Sequence, residues 1–333
     1  MQLMAEILIG PDFNKPIPKN YPGVLGYKEI PIEENGELLV PLGPFSKYRK
    51  VHTDSIYFGE RLSSPYRDNS IDGSNISIFV RQSLAEQLMQ VQELLPSGLY
   101  VVANDGYRST KAQETLFKRY MDALSVLHPE WTKERLEEHT VDYVSKPSDD
   151  PQGPSTHLTG GSVDLVLVRL SPVHEAEIGR IDSELDQLGP SQSGRSFNLE
   201  VTRAMIMSEF AVQLPFATNF DYGKEEAALD YLEKQRRMKG LSNEERYALR
   251  NTRMLHNITA FVGLEGLISE WWHKNSRKTQ MGAKVAGLRA AEFGPVLELS
   301  EENLRHEKMR RSYVNLAPRW EKTQVPLAEI ILP

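Results

Sequence analysis

The chain contains no cysteine among its 333 residues. That absence excludes a disulfide framework, thiolate metal sites and a cysteine nucleophile together, so any bound metal has to be held by histidine and carboxylate. Positive charge is in short supply: 39 lysines and arginines face 46 aspartates and glutamates, for a formal net charge of -7 and a pI near 5.7. Nucleic acids and anionic membrane surfaces call for a basic footprint, so neither is expected as a partner. A local basic run, "RHEKMRRSY", reads more simply as a solvated helix face. Long apolar runs are missing too. No segment offers the roughly 18 uninterrupted apolar residues of a membrane span. The first twenty residues show no basic leader; Glu6 breaks their apolar run and Pro11 ends it. A cytoplasmic location is expected.

What is present suffices for a large core, with 40% of residues hydrophobic. Residues 1–50 are proline-rich and full of turn formers, which predicts an extended lead laid on the main body rather than a domain. Helical spacing of apolar residues predicts a helix over 77–95, and "GLYVVANDGYR" then switches to a strand that ends in a turn, leaving Arg108 just past it. Two helices are predicted over 110–145, with Thr132 a candidate cap of the second. The loop "KPSDDPQGPSTHLTGG" leads into a strand, "SVDLVLVRL". Residues 171–215 read as an insertion with helical flanks around "LGPSQSGRS". An amphipathic helix is predicted from Asn243 to Gly263, and "LISEWWHKN" as one strand. The predicted division is lead 1–50, catalytic domain 51–275 and C-terminal extension 276–333.

Two stretches carry chemistry. "GPSTHLTGGSVDLVLV" sets His157 in a glycine-rich loop and Asp164 among valines and leucines, where a charge is costly unless something pairs with it. "SEWWH" sets Glu270 and His273 around two tryptophans. His157, Asp164 and His273 form a two-histidine, one-carboxylate set of the kind that holds a catalytic zinc while leaving a fourth position for water, whose pKa falls to about 7. Glu270 is a candidate general base and acid. Arg108 is a candidate clamp for a developing oxyanion. Residues three apart on a regular strand face opposite sides, so Glu270 and His273 share a site only if their strand is bulged. Each piece alone is a common coincidence: a single histidine seldom ligates metal, the tryptophans suit a core, and Arg108 has a ready partner in Asp105. The remaining histidines, His52, His128, His139, His174, His256 and His306, receive no role.

Taken in order, "DGYR" at 105–108, "STHLTGGSVD" at 155–164 and "EWWH" at 270–273 resemble the signature blocks of the zinc D-alanyl-D-alanine dipeptidases of the VanX type. That family belongs to a wider group of D,D-peptidases sharing its fold with the hedgehog signalling domain. The resemblance runs from about Asp54 to Asn275. It implies an α+β fold, a central antiparallel sheet flanked by helices. It also implies one zinc per chain on His157, Asp164 and His273, with Glu270 as base and Arg108 as clamp. Ser155 resembles a substrate-holding residue, and Asp221 in "PFATNFDYG" the aspartate that binds the amine end of a dipeptide. The implied partner is a small peptide with D-amino acids, most simply D-alanyl-D-alanine. The lead, the 171–215 insertion and the tail depart from the compact dipeptidases. Rival readings are a D,D-carboxypeptidase acting on longer wall peptides and a non-catalytic regulatory protein with a structural zinc.

Overall fold

The structure is a computed structural model that describes residues 10–60, 64–141, 143–148, 150–188 and 193–314. Elements are numbered along the chain. The strand β5 (Ser162–Arg169) is buried along all but its last residue, and its valines and leucines suit a strand covered on both faces. On one side it pairs antiparallel with β4 (Leu99–Asp105). On the other, its first three residues pair with β8 (Glu270–Ser276) and its last two with β6 (Val212–Gln213). Beyond β8 lies β7 (Leu264–Leu267), and beyond β4 lies β2 (His52–Thr53). The sheet is mixed rather than antiparallel throughout, because β2 runs parallel to β4. It is flanked by helices, as an α+β chain requires. Among them, α1 (Gln82–Leu94) and α7 (Asn243–Phe261) contribute Leu84, Leu88, Leu255 and Ile258 to the core shared with Val101, Val166 and Trp271.

Two predicted elements are corrected. The helix expected from Ser77 starts only at Gln82, because Phe79–Arg81 form β3, paired antiparallel with β1 (Leu39–Pro41) of the lead. A partner strand available at that point outweighs the helical spacing of the sequence. "LISEWWHKN" is a hairpin rather than one strand: Ile268 and Ser269 turn the chain between β7 and β8.

Helices α2 (Thr110–Leu127) and α3 (Lys133–Val141) follow β4 as predicted; Ser109 caps α2 by accepting from Ala112 N–H. The 171–215 stretch folds as α4 (Pro172–Gln187) and α5 (Ser193–Phe210), tied by an Arg203–Asp182 ion pair at 2.8 Å, and returns through β6 to the central strand. Then come α6 (Tyr231–Met238) and α7, which opens with a Ser242/Glu245 capping box. The described residues close with α8 (Gln280–Ala286) and α9 (Glu301–Val314). No helix among the described residues is long and apolar enough to cross a membrane.

Buried Arg81 ties distant parts together. Its guanidinium donates to Thr159 O at 2.8 Å, to the Glu34 carboxylate at 3.0 and 3.1 Å, to Gly294 O at 3.0 Å and to Glu37 O. Lead, metal-loop and tail backbones thereby share one cation.

Two histidines given no role belong to the interior. Burial pushes His256 down to about 3, aided by Lys274. His306 is pushed down to about 4 by burial, against the hydrogen bond from its Nε2 to Pro44 O at 3.2 Å. Both folded values lie below the ordinary 6.5, so the unfolded chain takes up these protons first as pH falls. Their stabilisation is therefore complete above about pH 6.5 and declines below it, by about 1.4 kcal/mol per pH unit for each histidine. Urea unfolding between pH 7 and 5 should show this decline, and His306→Gln should shallow it relative to wild type. Parallel slopes for the two proteins would remove His306 from the account.

Candidate metal centre and cleft

The sheet places the site through two irregularities at the level of Asp164. On the β4 side, Ala103 opposes Leu165 but Asp105 opposes Asp164, so Asn104 is bulged. On the other side, Gly266 opposes Lys274 while the next residue, Leu267, opposes Glu270, so residues 271–273 have no partner on β7. A bulge re-aims side chains that a regular strand would send to opposite faces. Glu270 and His273 accordingly line one cleft. The buried ammonium of Lys274 bonds the carbonyls of this excursion, Trp271 O at 2.7 Å and His273 O at 3.2 Å. Burial lowers the Lys274 pKa to about 7. Trp271 anchors the turn from the other direction, its Nε1–H donating to Thr218 Oγ1 at 3.0 Å and its ring stacked on Phe216 at 4.0 Å.

His157, Asp164 and His273 are all buried and each offers a ligand atom within a small triangle. His157 Nε2 lies 3.1 Å from His273 Nδ1 and 3.6 Å from Asp164 Oδ1, and His273 Nδ1 lies 3.1 Å from Asp164 Oδ1. The outer nitrogens are occupied. His157 Nδ1 faces Gly106 O at 2.7 Å and His273 Nε2 faces Asn275 Oδ1 at 3.1 Å. Those two acceptors require N–H on the outer nitrogens, which leaves bare lone pairs on the inner ones when the rings are neutral. Two lone pairs and a carboxylate converging on one point call for a cation. Nitrogen and oxygen ligands about 2.0–2.1 Å from a tetrahedral metal stand roughly 3.3 Å apart, which the observed triangle matches. These residues can therefore hold a metal ion. The carboxylate of Asp164 is held far below the ordinary range: burial opposes its charge, and His157 and His273 more than offset that. Burial likewise opposes a charged His157, whose pKa is nevertheless raised, chiefly by Asp164.

Around this triangle lies a cleft of about 450 Å³. All seven residues singled out in the sequence line it: Arg108, Ser155, His157, Asp164, Asp221, Glu270 and His273. Glu270 Oε2 is 4.0 Å from His273 Nδ1, close to the metal position yet outside the ligand triangle. Crowding by protein pushes Glu270 up to about 7, with His273 opposing that rise and Asp164 adding to it. Arg108 forms the expected pair with Asp105, Nη2 to Oδ2 at 2.7 Å, while keeping the same nitrogen 3.9 Å from Asp164 Oδ2. Gln113 Oε1 accepts from its Nη1 at 2.9 Å, so the guanidinium is fixed in direction by the protein alone. Asp221 has a left-handed backbone, φ 62°. Its carboxylate accepts from Tyr66 Oη at 2.7 Å and Tyr57 Oη at 3.3 Å, and burial raises its pKa against the pull of the Tyr66 bond.

Sequence reasoning missed Tyr57, Tyr66, Gln113 and Asn275. Asn275 lies two residues beyond "EWWH", and its Oδ1 also accepts from Ser162 Oγ at 2.7 Å. Only that proximity to the motif marks it. The tyrosines lie in "DSIYFGE" and "SSPYRDN", where nothing distinguishes them from core aromatics.

No protein-family model matches the chain, and no curated protein matches it.

Purified protein should bind about one divalent metal per chain, measured by plasma emission spectroscopy after dialysis. His157→Ala, Asp164→Ala and His273→Ala should each lose it. Metal retained by any of the three would remove that residue from the ligand set. Saturating metal at about a thousand times its dissociation constant should raise stability by about 4 kcal/mol.

Proposed function

We propose that the protein is a zinc-dependent peptidase of the D-alanyl-D-alanine dipeptidase type, on the hedgehog-like fold that its motifs imply. The observation that carries this reading is the grouping, in one cleft, of a cation-ready His157–Asp164–His273 triangle with a carboxylate beside it that is not a ligand. A merely structural metal site closes its fourth position and has no use for such a base. Held by His157, Asp164 and His273, a zinc ion would supply a Lewis acid to polarise a peptide carbonyl and to lower the pKa of water to about 7.

The chain's own residues do the rest. Glu270, poised near 7, takes the proton of the attacking water and returns it to the departing amine. Arg108 turns a rigid, permanently charged donor toward the oxygen that becomes negative as the carbonyl is attacked. Asp221 accepts the free ammonium of the substrate, and in doing so selects short peptides with an unblocked N-terminus. Ser155, buried where it lines the cleft, bonds the substrate backbone.

Zinc-restored protein should release amine from D-alanyl-D-alanine and not from L-alanyl-L-alanine; cleavage of a D,D-terminated pentapeptide but not the dipeptide would reinstate a carboxypeptidase. Glu270→Ala should retain zinc and lose about 10²-fold or more in kcat. Activity within about tenfold of wild type would mean that Glu270 is not the base. Asp221→Ala should raise KM for free-amine dipeptides more than for N-blocked ones, and equal effects on both would break the amine assignment.

A further inference from the structure

The amine-binding end of the cleft is built on a segment that α9 helps to hold. Tyr57 and Tyr66 lie between Ser55 and Ser77, where the described residues, 55–60 and 64–77, form turns and bends but no helix or strand. Its internal bonds are local: Ile71 N–H donates to Tyr57 O at 2.8 Å and Ser64 Oγ to Ile56 O at 2.6 Å. Its outer attachments come from α2, where Arg119 donates to Asn69 O and Ser70 O and Thr115 Oγ1 to Asp72 O, and from α9. The Glu307 carboxylate accepts from Ile76 N–H at 3.0 Å and Ser77 N–H at 2.9 Å, using both oxygens. Arg310 Nη2 pairs with Glu60 at 2.7 Å, and the other Glu60 oxygen accepts from Ser55 N–H at 3.3 Å. Arg311 donates to Ser74 O at 3.1 Å and sets its guanidinium 4.8 Å from the Phe58 ring centroid. The two ends of the segment are thus fastened by three residues within about one turn of α9, and its middle by α2.

The segment delivers more than a wall. Tyr57 Oη donates to Asp221 and accepts from Arg108 Nη2, each at 3.3 Å, and the Arg108 guanidinium lies 4.7 Å from the Tyr57 ring centroid. One phenol therefore touches both the amine anchor and the oxyanion clamp.

We propose that α9 is a specificity element, with Glu307 and Arg311 as positioning residues that set Tyr57 and Tyr66 against Asp221 and so define recognition of the substrate's ammonium group. The proposal rests on the reading of Asp221 as the amine anchor. A helix that only seals the core would change stability and the amount of active protein alike for every substrate; a positioning helix changes free-amine recognition selectively.

The test uses the full chain with one equivalent of zinc and compares wild type, Glu307→Gln, Glu307→Asp, Arg311→Met and an exposed control on the same helix, Arg305→Gln. Three quantities are read: kcat and KM for D-alanyl-D-alanine and its N-acetyl form, amide exchange across 55–77, and the ring-carbon resonances of Tyr57 and Tyr66. Glu307→Gln and Arg311→Met should raise KM for the free dipeptide by about tenfold, with a smaller fall in kcat, and move KM for the blocked form by less than about threefold. Glu307→Asp should recover part of the loss and Arg305→Gln should match wild type. Exchange at Ile71, Ile76 and Ser77 should quicken and both tyrosine resonances should move. Unmoved resonances in Glu307→Gln and Arg311→Met overturn the proposal whatever the kinetics show, as does an equal loss on both peptides. A wild type that cleaves neither peptide, with resonances that still move in the variants, sinks the proposed function and leaves the positioning role standing.

Discussion

A single buried carboxylate organises this molecule. Asp164 sits in the central strand at 2% exposure, and a charge so placed needs a compensating arrangement built around it. On one side β4 loses register at its level and brings Asp105 beside it; on the other β8 stays in register with it at His273 and shifts instead against β7. Arg108 reaches toward it from the end of β4, and His157 from the loop that feeds β5. Asp105, Asp164, Asp221 and Glu270 all act on this region, with Arg108 the fixed cation among them. A cation held in the triangle would offset part of that crowd of acids.

The residues that line the cleft were more legible than the scaffold. His157, Asp164, Glu270, His273 and Arg108 were readable as candidates because ligands and bases are restricted to few residue types, and because three short blocks stand in one order; the structure gathers them in one cleft. Even the conflict between strand alternation and the spacing of Glu270 and His273 was readable, and the β7–β8 register shift resolves it. Pairing partners were not readable. Whether "SIFVR" continues a helix or lies against the lead depends on β1, some forty residues upstream. The parallel placement of β2 beside β4 involves two residues, too short for any pattern. Tyr57 and Tyr66 escaped for a related reason: a tyrosine's hydroxyl partner is set by tertiary contact, and its sequence neighbours carry no trace of it.

Lead and tail, which the sequence showed only as departures from a compact catalytic unit, contact the parts that form the cleft. Arg81 joins Glu34 of the lead and Gly294 of the tail to the backbone of the metal loop. Asn303 of α9 donates to Leu39 O, closing the lead against the last helix. The insertion behaves differently. Its helices α4 and α5 rejoin β5 at Val168 and Arg169, the end of the strand remote from Asp164, so their direct contact with the sheet is away from the ligands.

The excursion of β8 bears on how this protein tolerates change. Three consecutive residues there forgo ladder pairing with β7, and a buried lysine is set beneath them to satisfy carbonyls that the ladder leaves over. A hairpin shortened to run in register, with an apolar residue in place of Lys274, would satisfy more backbone and remove a buried ammonium. It would also turn Glu270 away from the cleft. Selection for thermal stability alone would thus favour turning Glu270 out of the cleft while His157, Asp164 and His273 stayed together, yielding a firmer protein with its buried triangle intact.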